Sequence, residues 1–127
     1  MLEIIEHGNV HEIKLARPPA NALSVELVEK LTDSLTMAAE QAGAVVVSGL
    51  PGMFSAGLDV PQLMQFDRSD MSRFWQTFLR LLKTIAHMPV PTAFAMTGHA
   101  PAGGIVMALF GDYRIMPRGS FKNGLKE

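Results

Sequence analysis

Two loops of small residues are the segments of this chain best suited to chemistry. The first runs from Gly49 to Gly57 and the second from Thr97 to Ala102, and each lies between a β-type run and a predicted helix. The first turn of a helix carries unpaired NH groups and a partial positive charge. Two such turns that face one point can stabilise an oxygen atom that gains negative charge during a reaction. Because the side chains are small, a ligand can approach the backbone directly.

Other kinds of site find little support in the composition. The chain has no cysteine, and its four histidines lack the spacing of metal ligands, so we expect neither redox chemistry nor a metal centre. Neither loop has the glycine spacing and lysine of a phosphate-binding P-loop, or the dinucleotide pattern G-x-G-x-x-G. The formal net charge is -1 and the basic residues are scattered, which argues against nucleic-acid binding.

A hairpin, a helix and a strand are predicted before the first loop. Two β-rich runs, Leu2 to Glu6 and Val10 to Leu15, are separated by a turn-forming triplet and predict antiparallel strands. Ser24 is a typical N-cap for a helix whose apolar positions recur at helical spacing and which ends at Gly43. The run from Ala44 to Ser48 is short and rich in β-branched residues, as in a strand that is buried on both faces of a parallel sheet.

A similar series of elements surrounds the second loop. The predicted elements are a short helix starting near Asp59 and Pro61, a longer helix from about Asp70 to His87, a strand from Thr92 to Met96, a helix from Gly103 to about Phe110, and a strand from Asp112 to Met116. The recurrence of strand, loop and helix predicts an α/β fold of stacked ββα units. A chain of 127 residues is long enough for one domain or for part of one.

We expect no membrane segment. The most apolar stretch, Pro89 to Phe110, is interrupted by prolines and glycines that a lipid-spanning helix of this length would not tolerate. The first ten residues, Met1 to Val10, are acidic and alternate like a strand, so they lack the basic flank and apolar block of a signal peptide. A cytoplasmic location is therefore expected.

Four motifs in order resemble the crotonase superfamily, the enoyl-CoA hydratases and isomerases of fatty acid metabolism and β-oxidation. They are Phe54-Ser55-Ala56-Gly57-Leu58-Asp59, Pro101-Ala102-Gly103-Gly104, Asp112-Tyr113-Arg114, and Phe121-Lys122-Asn123-Gly124-Leu125-Lys126-Glu127, and the stretch from Pro18 to Ser24 adds to the likeness. The resemblance extends through the whole chain, and the family continues well beyond Glu127. It therefore implies that residues 1–127 are the N-terminal part of a crotonase-like domain, whose full-length parent is a homotrimer or hexamer.

The resemblance also implies which residues bind the substrate. The NH groups of Leu58 and Gly103 would form the oxyanion hole, and Ala56 to Val60, a range that includes Gly57 and Asp59, would line the acyl-CoA site. Arg17 and Ala20 are further candidates for contact with coenzyme A. Coenzyme A is part of the substrate in this family, so no separate cofactor is expected.

The reaction depends on which carboxylates are present. Hydratases of the family use two glutamates, and the first lies three residues after the glycine that matches Gly103, where this chain has Val106. An isomerase needs one base, and Glu127 matches the glutamate of the isomerase branch. We therefore expect a Δ3,Δ2-enoyl-CoA isomerase. A hydratase or another crotonase-type enzyme, and an inactive fragment that binds coenzyme A or pairs with other subunits, remain alternatives.

Structural roles compete with these functional ones. The glycines could serve tight turns and close packing, and they are assigned to the site only because of the family motifs. Asp59 is expected to cap a helix rather than to act in catalysis. The stripe formed by Phe74, Phe78 and Leu81 is expected to be core, although it could also form the wall of an acyl tunnel. His99 is given no role.

Overall fold

A five-stranded sheet carries the two loops. A computed structural model describes residues 1–125, and its elements, in chain order, are β1 (Leu2–His7), β2 (Val10–Leu15), α1 (Val25–Gln41), β3 (Ala44–Ser48), β4 (Gly52–Met53), α2 (Val60–Leu63), α3 (Arg68–Ala86), β5 (Thr92–Ala95), β6 (Gly98–His99), α4 (Gly103–Leu109) and β7 (Tyr113–Ile115). The order in the sheet is β1-β2-β3-β5-β7. The first pair is antiparallel and the other three pairs are parallel, as predicted for an α/β fold.

Helices α1 and α3 pack against each other, and α1 also contacts strands β2 and β3. The side chains that meet here are fully or almost fully buried, and they include Ile13, Leu15, Leu27, Leu31, Val45, Val47, Phe74, Phe78, Leu81 and Phe94. Each buried side chain of this size contributes about 1.5–3 kcal/mol relative to its exposed state. The predicted core role of the α3 stripe is confirmed.

Local capping explains where the helices begin. Helix α1 starts after Ser24, whose hydroxyl accepts a hydrogen bond from the Leu27 NH at 3.2 Å, as predicted. Helix α3 starts two residues earlier than predicted, at Arg68. The cause is a reciprocal capping box, in which the Asp67 carboxylate accepts from the Asp70 NH at 2.7 Å and the Asp70 carboxylate accepts from the Asp67 NH at 3.4 Å.

Two predictions about strands need correction. Strand β3 was expected to be buried on both faces, but Ala44 and Val46 are only half-buried on the face that α1 does not cover. A second, two-stranded parallel sheet, β4 with β6, lies inside the segments predicted as loops. It requires glycine at position 98, because a Cβ there would overlap the backbone of Gly52. Strands of two residues are too short for alternation to reveal them.

Candidate active site

The first loop is held in place by buried polar groups. The side-chain amide of Asn21 donates to the carbonyls of Leu15 at 3.1 Å and Phe54 at 3.0 Å. The Ser55 hydroxyl donates to the Asn21 carbonyl at 2.8 Å and accepts from the Gly57 NH at 3.1 Å. Asn21 and Ser55 are both fully buried, so these bonds form away from water and fix the loop rigidly.

The two loops meet at Gly57 and Gly103. Gly57 has a φ of +97°, and a Cβ built on it would lie 3.0 Å from the backbone nitrogen of Gly103. A Cβ built on Gly103 would in turn lie 3.3 Å from the Cα of Gly57. Glycine at both positions therefore permits a direct approach of one backbone to the other.

This approach brings the two predicted oxyanion-hole donors into one region. Leu58 follows Gly57 directly, and Gly103 is the first residue of α4, where a backbone NH has no intrahelical partner. Within residues 1–125, no protein group accepts a hydrogen bond from the NH of Leu58 or of Gly103. Both amides can therefore donate to a ligand, although their role as an oxyanion hole stays a prediction.

A cavity of about 370 Å³, which we call the apolar pocket, opens beside these amides. Its walls come from both loops, α2, α3, α4 and the C-terminal segment, and the lining residues are Ala56, Leu58, Val60, Trp75, Phe78, Ala102, Gly103, Val106 and Leu125. No side chain among these residues is charged. A cavity with such a lining suits an apolar ligand such as a hydrocarbon chain.

A second cavity, of about 500 Å³, lies on the other side of the first loop. We call it the charged pocket, and it is lined by Arg17, Pro18, Pro19, Ala20, Ala22, Ala56, Leu58, Asp59, Val60 and Pro61. Ala56, Leu58 and Val60 line both cavities and form a shared wall between them. The Ala56 NH donates to the Ala20 carbonyl at 2.9 Å, which joins this wall to the segment that precedes α1.

An ion pair between Arg17 and Asp59 places both charges of the charged pocket side by side. One guanidinium nitrogen of Arg17, Nη2, lies 3.0 Å from Oδ2 of Asp59, and the other, Nη1, donates to the Ala22 carbonyl at 2.9 Å. Asp59 also accepts from the Gln62 NH at 3.2 Å, which confirms its predicted role as the N-cap of α2. The cap was predicted from the sequence, whereas the ion pair with Arg17 was not.

Helix α2 is braced against α1 by the side-chain amide of Gln62. Its Oε1 accepts from the Val25 NH at 3.0 Å, and its Nε2 donates to the Glu26 carboxylate at 3.3 Å. Hydrogen bonds from the backbone NH of Glu26 itself and from Gln62 lower the pKa of this carboxyl, which therefore stays ionised at the positive end of α1.

The segment after β7 folds back onto the second loop. The Ala100 NH donates to the Lys122 carbonyl and the Ala102 NH to the Gly124 carbonyl, both at 2.7 Å. These bonds bring Leu125 to the apolar pocket. Glu127, the predicted base, lies outside the described residues, so its role stays a prediction.

The predicted binding residues fall together in the fold. Arg17, Ala20 and Asp59 line the charged pocket, Gly103 lines the apolar pocket, Ala56, Leu58 and Val60 line both, and Gly57 lies where the loops meet. Sequence reasoning missed Trp75 and Leu125 as lining residues. Trp75 is 42% exposed on α3, and an exposed tryptophan on an otherwise amphipathic helix was the available signal.

Neither a metal site nor a membrane-spanning helix is found among the residues that the structure describes. Across residues 1–125, no group of three or more His, Asp or Glu side chains is arranged to hold a metal ion. None of the helices in that range has the length and apolar character needed to cross a bilayer.

Comparison with known proteins gives consistent matches along the chain. The family model described as Enoyl-CoA hydratase/isomerase matches residues 6–123. Mitochondrial enoyl-CoA delta isomerase 1 of Mus musculus is 33% identical over 112 residues, which are 86% of this chain and 39% of that protein. Mitochondrial enoyl-CoA hydratase domain-containing protein 2 of Homo sapiens is 36% identical over 110 residues, 84% of this chain and 38% of that protein.

Solved structures agree with these matches. DspI of Pseudomonas aeruginosa superposes with a TM-score of 0.86 at 27% identity, over 92% of this chain and 49% of that one. Human mitochondrial delta3-delta2-enoyl-CoA isomerase gives a TM-score of 0.85 at 28% identity, over 89% of this chain and 46% of that one. The chain thus spans about two fifths of the length of the curated relatives and about half of the matched structures.

Proposed function

Because the chain belongs to the enoyl-CoA hydratase/isomerase family, we propose that it binds an acyl-CoA thioester and works as a Δ3,Δ2-enoyl-CoA isomerase. One observation carries the proposal. The amides of Leu58 and Gly103, which have no protein acceptor within residues 1–125, lie where an apolar pocket and a charged pocket share a wall. A thioester has the same three parts, namely an apolar tail, a carbonyl oxygen and a charged carrier.

The two amides would stabilise the charge that forms during proton transfer. In the proposed complex, the carbonyl oxygen of the thioester accepts hydrogen bonds from both NH groups. The acyl tail enters the apolar pocket, and coenzyme A extends along the charged pocket. Loss of the C2 proton moves negative charge onto this oxygen, which the fixed donors then hold. Loss of one such donor typically costs about 3 kcal/mol of transition-state stabilisation. No cofactor beyond the substrate's own coenzyme A is required.

The base is expected to come from the C-terminal segment. Among residues 1–125, none of those lining the apolar pocket is an acid, and Val106 occupies the position at which hydratases have a glutamate. Glu127 follows Leu125, which lines the pocket, by two positions, and two residues of extended chain reach about 7 Å at most. One carboxylate there would take the proton from C2 and return it at C4, and the double bond would move from C3 to C2.

A hydratase is the second candidate, since the human relative that is 36% identical is named for an enoyl-CoA hydratase domain. Hydration needs a second acid or base to activate water. The carboxylates would then have to come from chain beyond the described residues. Water addition to a 2-enoyl-CoA at an enzymatic rate, with no shift of a 3-enoyl-CoA, would favour this candidate over the isomerase.

The test measures conversion of a medium-chain 3-enoyl-CoA by the absorbance of the conjugated thioester product. We expect turnover that Glu127→Gln reduces by about 100-fold or more, within the usual range for removal of a general base. The matched control is Glu40→Gln, which changes an exposed carboxylate on α1 and should leave turnover unchanged. Turnover that survives Glu127→Gln would disprove the assignment of the base. Calorimetric binding of acyl-CoA without turnover would instead support an inactive binding protein.

A further inference from the structure

His99, in the second loop, contacts the C-terminal segment through its side chain. We propose that His99 is a positioning residue, which holds the segment from Phe121 to Leu125 against the second loop and thereby sets the position of the base that follows. The inference rests on the proposed function for its catalytic consequence. The contact between His99 and the segment is observed in the structure and does not depend on the proposed function.

The imidazole of His99 holds the segment in two ways. Its Nδ1 accepts a hydrogen bond from the Lys122 NH at 3.0 Å. Its ring also meets the ring of Phe121 edge to face, with centroids 5.2 Å apart and planes inclined by 73°.

The backbone hydrogen bonds of the segment lie next to this contact along the chain. Beyond Lys122, the segment runs beside the second loop, where Ala100 and Ala102 donate to the carbonyls of Lys122 and Gly124, both at 2.7 Å. Lys122 is therefore held on both sides, its NH by a side chain and its carbonyl by backbone. Most of the segment is exposed, so few buried contacts compensate if one of these bonds is lost.

His99 also fixes the loop that carries Leu58. Its carbonyl accepts hydrogen bonds from the NH groups of Phe54 at 2.9 Å and Ser55 at 3.2 Å. One residue thus connects the first loop, the second loop and the C-terminal segment. A base that is displaced by about 1 Å from a reacting carbon can lose about 100-fold in rate, so a link between donors and base has a direct catalytic consequence.

Three variants separate the hydrogen bond from the ring contact. His99→Asn places an amide oxygen where Nδ1 accepts, His99→Phe keeps a ring beside Phe121 without an acceptor, and His99→Ala removes both. We expect kcat for a 3-enoyl-CoA to fall about tenfold in the Phe and Ala variants, as for loss of one hydrogen bond, with KM changed less than about threefold. His99→Asn should recover most of the lost kcat.

Amide hydrogen exchange tests the link without any turnover. In the unmodified protein we expect the NH groups of Ala102 and Lys122 to exchange slowly, and to exchange about tenfold faster in His99→Phe but not in His99→Asn. Unchanged exchange in His99→Phe would overturn the proposal, as would equal loss of kcat in the Asn and Phe variants. If the protein lacks isomerase turnover while the exchange pattern appears, the proposed function fails and the positioning role of His99 stands.

Discussion

The apolar pocket and the charged pocket share a wall but differ in every other lining residue. The apolar pocket, of about 370 Å³, is completed by residues of α3 and α4 and by Leu125, none of which is charged. The charged pocket, of about 500 Å³, is completed by the Arg17–Asp59 ion pair and by small residues and prolines. Under the proposed function, the acyl tail would lie on the apolar side, the carrier on the charged side and the thioester carbonyl at the wall between them.

The shared wall consists of Ala56, Leu58 and Val60. Gly57 lies between the first two of these residues, and its backbone packs directly against that of Gly103. A larger side chain at Gly57 would force the two loops apart, because its Cβ would lie 3.0 Å from the Gly103 nitrogen. The comparison therefore predicts three classes of variant, which damage both pockets, one pocket, or neither.

The largest effect is expected from Gly57→Ala, which changes the residue between the wall residues Ala56 and Leu58. A Cβ at this position would lie 3.0 Å from the Gly103 nitrogen and would require alanine at a φ of +97°. We expect isomerase turnover to fall by about 100-fold or more, because the two amides can no longer converge. Stability should fall by about 1–3 kcal/mol, measured by urea unfolding.

Gly52→Ala is the matched control for this prediction. Gly52 also has a positive φ, +78°, but a Cβ on it would meet nothing within 4 Å. Its stability loss should resemble that of Gly57→Ala, at about 1–2 kcal/mol, while turnover stays close to that of the unmodified protein. Equal loss of turnover in the two variants would show that backbone strain, and not the approach of the loops, limits the reaction.

The residues of this wall were named from sequence, because the family motifs include Ala56 to Val60 in the acyl-CoA site, and this role stays a prediction. Small residues after a β-type run indicate a loop, and a residue such as Asp59 before a helix indicates an N-cap, whatever the rest of the fold. The family motifs then placed Leu58 and Gly103 at one point. The structure brings the two loops together there, in direct backbone contact between Gly57 and Gly103.

Sequence analysis named Arg17, Ala20 and Phe78 on the far sides of the two pockets, but it did not predict Trp75 or the pairing of Arg17 with Asp59, since these depend on residues distant in sequence. Trp75 lies next to the buried Phe74, so helical periodicity assigns it only to the surface. Arg17 precedes α1 and Asp59 follows β4, and no periodic pattern relates the two. The contact of His99 with Lys122 has the same origin, because it depends on how the C-terminal segment returns to the second loop.

The second prediction changes the apolar side alone. Trp75→Ala removes an aromatic wall of the apolar pocket that packs edge to face against Phe78, with centroids 6.1 Å apart. We expect KM to rise about tenfold for a long acyl chain and to change little for a short one, because only the long chain contacts this wall. The control is Leu79→Ala on the next turn of α3, which is 58% exposed and does not line the pocket. A rise in KM that is independent of chain length would contradict the assignment of the acyl tail to this side.

The third prediction changes the charged side alone. Arg17→Gln removes the cation of the charged pocket, and we expect KM for acyl-CoA to rise about threefold with kcat unchanged. The effect should shrink as salt concentration increases, because the pair is partly exposed. Asp59→Asn keeps a good helix cap and removes the negative partner, so KM should not rise. A matching rise in both variants would show that the pair acts by holding the wall and not through charge.

Glu12→Gln is expected to leave turnover unchanged, because Glu12 lies outside both pockets. The Glu12 carboxylate accepts from the Ser48 hydroxyl at 2.5 Å and lies 2.9 Å from Nε2 of His7. The hydrogen bond from Ser48, followed by that from His7, lowers the pKa of Glu12. The variant should therefore lose up to about 1 kcal/mol of stability at neutral pH while turnover stays constant.

The pH dependence of this last effect follows from the direction of the shift. A carboxyl whose pKa is lower in the folded state stabilises the fold when it is ionised, so the contribution of Glu12 is complete above the ordinary carboxyl pKa. It is lost as the pH falls through the lowered pKa, and the unmodified protein and Glu12→Gln should then converge in stability. Urea unfolding at neutral and acid pH measures the difference, with Glu40→Gln as an exposed control on α1. If Glu12→Gln instead lowers turnover, the β2–β3 face of the sheet transmits strain to the shared wall, and the two pockets do not depend on their own lining alone.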